Sequence, residues 1–241
     1  MFNFLKKKKK VTTNKVIVLG DSHCRAFSFN SNFFPIFLGA GKEMNFISDK
    51  NLKKLKKNIT RVLNTFELNE SSKLVLFLGE PDTRFYLGKG WYPWDETSKK
   101  SSLDFKSNVE ASLERYESLI EYILQYNLKP IIMNVTPSRR KDQNQIVAYF
   151  NQLLNELSKK KSLNFLDLND QVFSNDENII KDDFYLDQVH LSTRLQLIAE
   201  KELIKLAVLE KSAFSETSLT NEEIQEKYGY DKRFGCYTLK G

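Results

Sequence analysis

Short, mostly apolar runs alternate with longer amphipathic stretches along the chain of 241 residues. A strand buried on both faces of a parallel sheet has this apolar character, so each short run predicts such a strand. The runs lie at 15–19, 34–38, 73–78, 130–135 and 163–168. Glycine follows the first and third runs, at Gly20 and Gly79, and predicts where these two strands end.

The longer stretches repeat apolar residues every three or four positions, which predicts helices with one apolar face. They cover about 51–66, 109–127, 147–157 and 195–206. Strands separated by helices of this length need right-handed crossovers and form a parallel sheet that is covered by helices on both faces.

The pattern therefore predicts one doubly wound, three-layer α/β domain over about 15–212. Residues 1–14 form a basic tail ahead of this domain. Residues 213–241 are polar at first and then aromatic, and we expect a docked or partly disordered extension there instead of a second domain.

Residue composition limits which kinds of site the chain can form. The chain is 41% hydrophobic and 28% charged, which is typical of a globular protein, and it has only two cysteines and two histidines. A disulfide framework and an ordinary structural zinc site are therefore not expected. Any mechanism that needs a histidine base must use His23 or His190.

Charge is concentrated in the tail. The net charge is +6, and the run Lys6 to Lys10 supplies five of these six charges, so a nucleic-acid partner is not implied. The run could be a solvated tail, or it could contact an anionic membrane together with Phe2, Phe4 and Leu5. No secretory signal and no apolar run of about 18 residues is present, so a cytoplasmic location is the expectation.

Candidate chemistry follows from the rule that parallel sheets bind ligands at the carboxyl ends of their strands. The first predicted strand runs directly into Gly20-Asp21-Ser22-His23. A serine placed here is a candidate nucleophile, and its own backbone N–H can stabilise an oxyanion. The same residue types also favour a simple turn with a helix N-cap, so the motif alone leaves both interpretations open.

A candidate base lies far downstream, before the last predicted helix. A serine hydroxyl needs a base, and that base needs an orienting partner. Asp187 and His190 are three residues apart, so the carboxylate can hold one imidazole nitrogen while the other faces Ser22. His23 is the worse base, because adjacent side chains diverge. His190 could instead be a partly buried histidine at a helix start.

Together these motifs resemble those of the SGNH/GDSL hydrolase family. Gly20-Asp21-Ser22 is similar to the family's first block, and Asp187-x-x-His190 to its last block. Each motif is weak alone, but both occur in the family's order at the expected ends of an α/β chain. The resemblance implies a flavodoxin-like α/β/α sandwich with a central, mostly parallel five-stranded sheet.

The resemblance also implies roles for single residues. Ser22 would be the nucleophile, His190 the base and Asp187 the residue that orients the base. Gly39 matches the glycine of the family's second block, whose backbone N–H contributes to the oxyanion hole together with that of Ser22. No metal and no organic cofactor is expected.

The third block departs from the family's pattern. The family usually has Gly-x-Asn-Asp, in which the asparagine amide donates to the oxyanion, whereas this chain has Gly79-Glu80-Pro81-Asp82. Proline supplies neither a side-chain donor nor an N–H. Losing one such donor costs roughly 2.7–4 kcal/mol in the transition state. Either activity is low, another donor substitutes, or the fold serves binding only.

Arg84 is the candidate replacement donor, since a guanidinium can stabilise an oxyanion or bind an anionic substrate. The alternative is an ion-pair network of Glu80, Asp82, Arg84 and Arg25 that braces the loop. The stretch Gly-Glu-x-Asp-x-Arg, with the Gly-Asp-Ser-His opening, resembles a bacterial subgroup of the family from surface-polysaccharide loci. That resemblance implies a carbohydrate substrate.

An aromatic stretch at 85–95 follows Arg84 and holds both tryptophans of the chain. Its rings could stack on a sugar, or they could pack as a small cluster beneath a long loop. The residues predicted to bind substrate are Glu80, Asp82, Arg84, Trp91 and Trp94.

The sequence thus predicts a serine-dependent acyl-ester hydrolase of SGNH/GDSL type that acts on O-acetylated carbohydrate. One alternative is an O-acetyltransferase in surface-polysaccharide synthesis, in which a sugar hydroxyl replaces water. The other is a catalytically weak glycan-binding module of a polysaccharide assembly complex, which Pro81 favours.

Overall fold

A parallel sheet forms the centre of the described part of the chain. The computed structural model describes residues 10–28, 30–39, 45–86, 105–137, 141–172, 184–185, 190–210 and 237–238. The strands are β1 Val16–Gly20, β2 Phe33–Phe37, β3 Leu74–Phe77, β4 Ile131–Met133, β5 Phe165–Leu166 and β6 Tyr237–Thr238. They are ordered β5-β4-β3-β1-β2-β6, and every neighbouring pair is parallel. The five predicted strands are confirmed.

Helices connect the strands as the apolar periodicity predicted. They are α1 Asp49–Thr65, α2 Phe105–Leu124, α3 Lys141–Lys160, α4 Asn169–Val172 and α5 Arg194–Lys205. Two short segments without a clear period were not predicted, a 3₁₀-helix at Ser22–Phe27 and a π-helical turn at Asp82–Tyr86. The helix predicted over 147–157 begins earlier, at Lys141. Its first turn is polar, so the apolar period did not reveal where the helix starts.

Two apolar cores lie on opposite faces of the sheet. Ile17 and Leu19 of β1 point into the core formed with α1, α2 and α3, whereas Val16 and Val18 point into the core formed with the 3₁₀-helix and α5. Successive residues of a strand face opposite sides, which explains why a strand between two cores is apolar at every position. The predicted three-layer α/β/α sandwich is confirmed.

The strand order places a crevice at the end of β1. The chain moves from β1 outward to β2, and it then returns past β1 to build β3, β4 and β5 on the other side. This order is the flavodoxin-like one, and ligands bind such sheets where the direction reverses, outside the carboxyl ends of the strands. Ser22 lies at that point.

The predicted C-terminal extension contributes β6. Its two residues pair with Ile36 and Phe37 at the edge of β2, so this part of the extension is docked on the domain. In the part of the chain that the structure describes, no helix is long and apolar enough to span a bilayer.

Candidate active site

Ser22 opens the 3₁₀-helix directly after β1. Asp21 caps this helix, because its carboxylate accepts the His23 N–H at 2.9 Å. The capping function that the sequence left open for this motif is therefore performed by Asp21. Ser22 itself is half-buried at this strand end.

His190 meets Ser22 across 168 residues of sequence. Its Nε2 atom lies 3.2 Å from the Ser22 Oγ atom, which is hydrogen-bonding distance. The backbone near His190 is held by a hydrogen bond from the Ser192 N–H to the Phe184 carbonyl at 2.7 Å. The pair that the mechanism requires is thus brought together at one edge of the sheet.

His23 lies beside this pair and contacts carboxylates. Its side chain is buried, with Nδ1 3.2 Å from the Asp21 carboxylate and 3.6 Å from Glu80. Its ring centroid is 6.2 Å from that of Phe77 and 5.6 Å from that of His190. His23 therefore belongs to a buried cluster with Asp21 and Glu80 next to the Ser22–His190 pair, and its being the worse base stays a prediction.

Several predicted residues lie outside the described residues. These are Asp187, which was predicted to orient His190, and the two tryptophans Trp91 and Trp94. Their roles stay predictions.

Ser22 and Gly39 follow the parallel strands β1 and β2 at the same edge of the sheet. The Leu38 N–H donates to the Gly20 carbonyl at 2.9 Å and extends the strand pairing up to Gly39. Gly39 has a φ of 141°, a conformation that favours glycine. Among the described residues, the N–H groups of Ser22 and Gly39 have no acceptor. Their role in an oxyanion hole stays a prediction.

Glu80 and Arg84 form a bidentate ion pair on the helical turn after β3. The Arg84 Nε donates to one Glu80 oxygen, and Nη2 donates to the other at 3.2 Å. The helical bonding begins with the Thr83 N–H, which donates to Gly79, so Pro81 stands in the first turn, where a missing N–H costs nothing. Of the predicted bracing network, the Glu80–Arg84 pair is observed.

Asp82 is not at the surface of the site. Its carboxylate is fully buried, and it accepts the Phe46 N–H at 2.7 Å and the Ser112 hydroxyl at 3.5 Å. The prediction that Asp82 binds substrate is therefore wrong, because a buried carboxylate cannot reach a substrate. Asp82 instead joins the segment after β2 to the turn after β3. The sequence carried no signal that Phe46 would be its partner.

Burial also changes the acid–base properties of Asp82. Its second oxygen, Oδ2, has no hydrogen-bond partner among the described residues. Desolvation, with a smaller contribution from the nearby Asp21 charge, raises the pKa of Asp82 to about 8. Burial likewise raises the pKa of Tyr116, whose ring packs 4.6 Å from that of Phe46. Asp82 is therefore mostly protonated at neutral pH.

Gly79 allows the close approach that ends β3. Its φ is +115°, and a Cβ atom there would lie 2.9 Å from the Phe150 ring and 3.1 Å from Val135. We expect Gly79→Ala to lower the free energy of unfolding by about 2–4 kcal/mol through backbone strain and overpacking. Urea unfolding measures this loss.

The contact with Phe150 gives a check on the cause of that loss. Phe150→Leu makes room for the added methyl, so the two substitutions together should cost less than the sum of the single losses. A Gly79→Ala loss below about 1 kcal/mol would contradict the strain argument.

The chain resembles known proteins in its fold but not detectably in its sequence. No protein-family model matches the sequence, and no curated protein is similar to it. A GDSL-like lipase from Bacteroides thetaiotaomicron VPI-5482 is similar in structure, with a TM-score of 0.55 at 16% identity, over 80% of this chain and 87% of that chain. An acetyl xylan esterase, AlAXEase, has a TM-score of 0.52 at 17% identity, over 81% of this chain and all of its own. The chain has the SGNH/GDSL hydrolase fold, as the sequence motifs predicted.

Proposed function

We propose that the chain is a serine-dependent acyl-ester hydrolase, with Ser22 as the nucleophile and His190 as the general base. The observation that carries this proposal is the 3.2 Å distance between the Ser22 Oγ and the His190 Nε2. It joins a hydroxyl and an imidazole at the carboxyl edge of the sheet, where proteins with parallel sheets bind their ligands.

The reaction runs in two halves. The Ser22 Oγ attacks the ester carbonyl while its proton passes to the His190 Nε2, and the C–O bond to the alcohol then breaks as His190 returns the proton to the leaving oxygen. Water attacks the acyl-serine in the second half and loses its proton to His190. The bond from the acyl carbon to the Ser22 Oγ then breaks as His190 returns this proton to Oγ, which releases the acid and restores the serine. Asp187 orients the imidazole in this scheme.

The oxyanion is stabilised by backbone donors. The N–H groups of Ser22 and Gly39 have no acceptor among the described residues and serve this role. Pro81 stands where the family has an asparagine amide, so a third donor has to come from elsewhere. Arg84 is the proposed source, because a guanidinium can donate to an oxyanion and the pair with Glu80 fixes its position on the turn after β3.

The proposed substrate is an O-acetylated carbohydrate. The structural similarity to an acetyl xylan esterase supports the acetyl and sugar parts of this proposal. Trp91 and Trp94, in the stretch after Arg84, would stack on the sugar. An O-acetyltransferase would use the same pair, with a sugar hydroxyl in place of water in the second half-reaction.

A fluorophosphonate probe tests the nucleophile directly, because it reacts covalently with an activated serine hydroxyl. We expect the wild-type chain to be labelled and Ser22→Ala to lose all labelling, since the Ser22 Oγ lies 3.2 Å from the His190 Nε2 and is the hydroxyl that this base would activate. Ser71→Ala is the control, because Ser71 is exposed in the loop after α1 and should leave labelling unchanged.

Two outcomes would contradict the proposal. Absence of labelling in a well-folded wild-type chain would favour the glycan-binding module, and labelling that survives Ser22→Ala would place the nucleophile elsewhere. Incubation with an acetyl donor and a glycan then separates the two enzymes, because hydrolysis releases acetate and transfer yields acetylated sugar.

A further inference from the structure

A chain of side-chain contacts connects the turn after β1 to the turn after β3. These strands are parallel neighbours, and Gly20 is paired with Phe77 in their register. His23 and Glu80 each lie three residues beyond that pair, one on each turn. The His23 Nδ1 lies 3.6 Å from the Glu80 Oε2, so this contact joins the two turns at the carboxyl edge of the sheet.

The Nδ1 atom of His23 faces two carboxylates. Besides Glu80, it lies 3.2 Å from the Asp21 Oδ1, which also accepts the His23 backbone N–H at 2.9 Å. An ionised carboxylate only accepts hydrogen bonds, so Nδ1 carries the proton on this side of the ring. The side chains of His23, Asp21 and Glu80 are 2%, 1% and 8% exposed. Water therefore screens these contacts little, and they can hold their partners firmly.

Glu80 passes this constraint on to Arg84. One Glu80 oxygen accepts the Arg84 Nε, and the other, which also faces His23, accepts Nη2 at 3.2 Å. The Glu80 backbone is held as well, because the Thr83 hydroxyl donates to its carbonyl at 3.0 Å. A guanidinium bound in this bidentate way has a fixed plane and direction. The position of Arg84 thus depends on Glu80, and that of the Glu80 carboxylate on His23.

We propose that His23 is a positioning residue that acts through Glu80 to hold the Arg84 guanidinium at the oxyanion. This proposal rests on the hydrolase function proposed above. His23 directly follows the nucleophile Ser22, so the contacts tie the third oxyanion donor to the nucleophile's own turn. A donor stabilises an oxyanion best when it is in place before the reaction, and a misplacement of about 1 Å can cost about 100-fold in rate.

Steady-state hydrolysis of an activated acetyl ester by the full chain tests this role. We expect Arg84→Met to lower kcat by about 10²- to 10³-fold and His23→Leu to lower it by about 10- to 100-fold. KM should change by less than about three-fold in both variants, because the donor acts in the transition state. A rise in KM at unchanged kcat would overturn the proposal, since His23 would then serve substrate binding.

His23→Asn is the matched control for His23→Leu. Asparagine and leucine are similar in size, but the asparagine amide keeps an N–H donor close to the position of the imidazole Nδ1. We therefore expect His23→Asn to stay within about five-fold of the wild-type kcat. A loss as large as that of His23→Leu would contradict a role based on this donor.

The dependence on Arg84 separates positioning from a merely structural role. In the Arg84→Met background, His23→Leu should cost less than about two-fold more, because the residue through which it acts is already gone. The same factor in both backgrounds would refute the proposal. If His23→Leu does not fold by circular dichroism, Glu80→Gln tests the same link, with about a 10- to 100-fold loss in the wild-type background and less than about two-fold in the Arg84→Met background.

Fluorophosphonate labelling distinguishes this proposal from the hydrolase function on which it rests. A folded wild-type chain without Ser22-dependent labelling and turnover would overturn both. Normal labelling and turnover of the wild type, together with losses that multiply between His23→Leu and Arg84→Met, would overturn the positioning role alone.

Discussion

Replacing His190 with alanine is expected to lower kcat/KM for an activated acetyl ester by about 10⁴- to 10⁶-fold while the chain stays folded. The imidazole is the only base within hydrogen-bonding distance of the Ser22 hydroxyl in the described part of the chain, so without it the hydroxyl keeps its proton. His190 is half-buried, and its loss should change the free energy of unfolding by less than about 2 kcal/mol.

The pair should act as a unit. The double variant Ser22→Ala, His190→Ala should therefore be no slower than either single variant, because each substitution already removes the same nucleophilic step. Steady-state kinetics on the purified variants measures these rates, and circular dichroism checks that they are folded. Multiplicative losses, or a His190→Ala chain that unfolds, would refute the role of His190 as the base.

Asp82→Asn is expected to stabilise the protein increasingly as the pH rises. The folded-state pKa of Asp82 is raised to about 8 from an ordinary value of 3.8. The folded chain therefore binds more protons than the unfolded chain between these values, and stability falls as the pH rises through this window. Asparagine still accepts the Phe46 N–H but cannot ionise, so the variant escapes that loss.

The size of the effect follows from the pKa shift. Between about pH 5 and pH 9, the stability of Asp82→Asn relative to wild type should grow by about 4 kcal/mol. Urea unfolding of both proteins across this range measures the difference. Asp49→Asn is the control, since its carboxylate is exposed and it should change stability by less than about 1 kcal/mol. Parallel pH curves for wild type and Asp82→Asn would contradict the burial argument.

Much of the fold could be predicted because its signals are local. The five apolar runs identify strands that lie between two cores, and β1 shows the reason, since its alternate side chains enter opposite cores. Elements without such a period escaped prediction. The 3₁₀-helix at Ser22–Phe27 is too short to show one, and Tyr237–Thr238 is a strand only because its backbone pairs with β2.

The candidate site likewise contains residues that the sequence predicted and contacts that it did not. Ser22 and His190 could be predicted, because a strand-end rule placed the serine and, of two histidines, His23 stands too close to Ser22 in the sequence to be a good base. The i,i+4 spacing of Glu80 and Arg84 also made their pairing predictable. Nothing local indicated that Asp82 would be buried against Phe46, which is 36 residues away.

The amino-acid sequence by itself determined the α/β class, the strand ends where the site lies and the identity of the candidate nucleophile and base. Those features depend on periodicity and residue type over a few positions. Only the tertiary structure decided that His190 comes within 3.2 Å of Ser22, that Asp82 supports the site from within, and that Lys10 lies against α1. Such contacts join distant segments, and packing of the two cores against the sheet sets which of them meet.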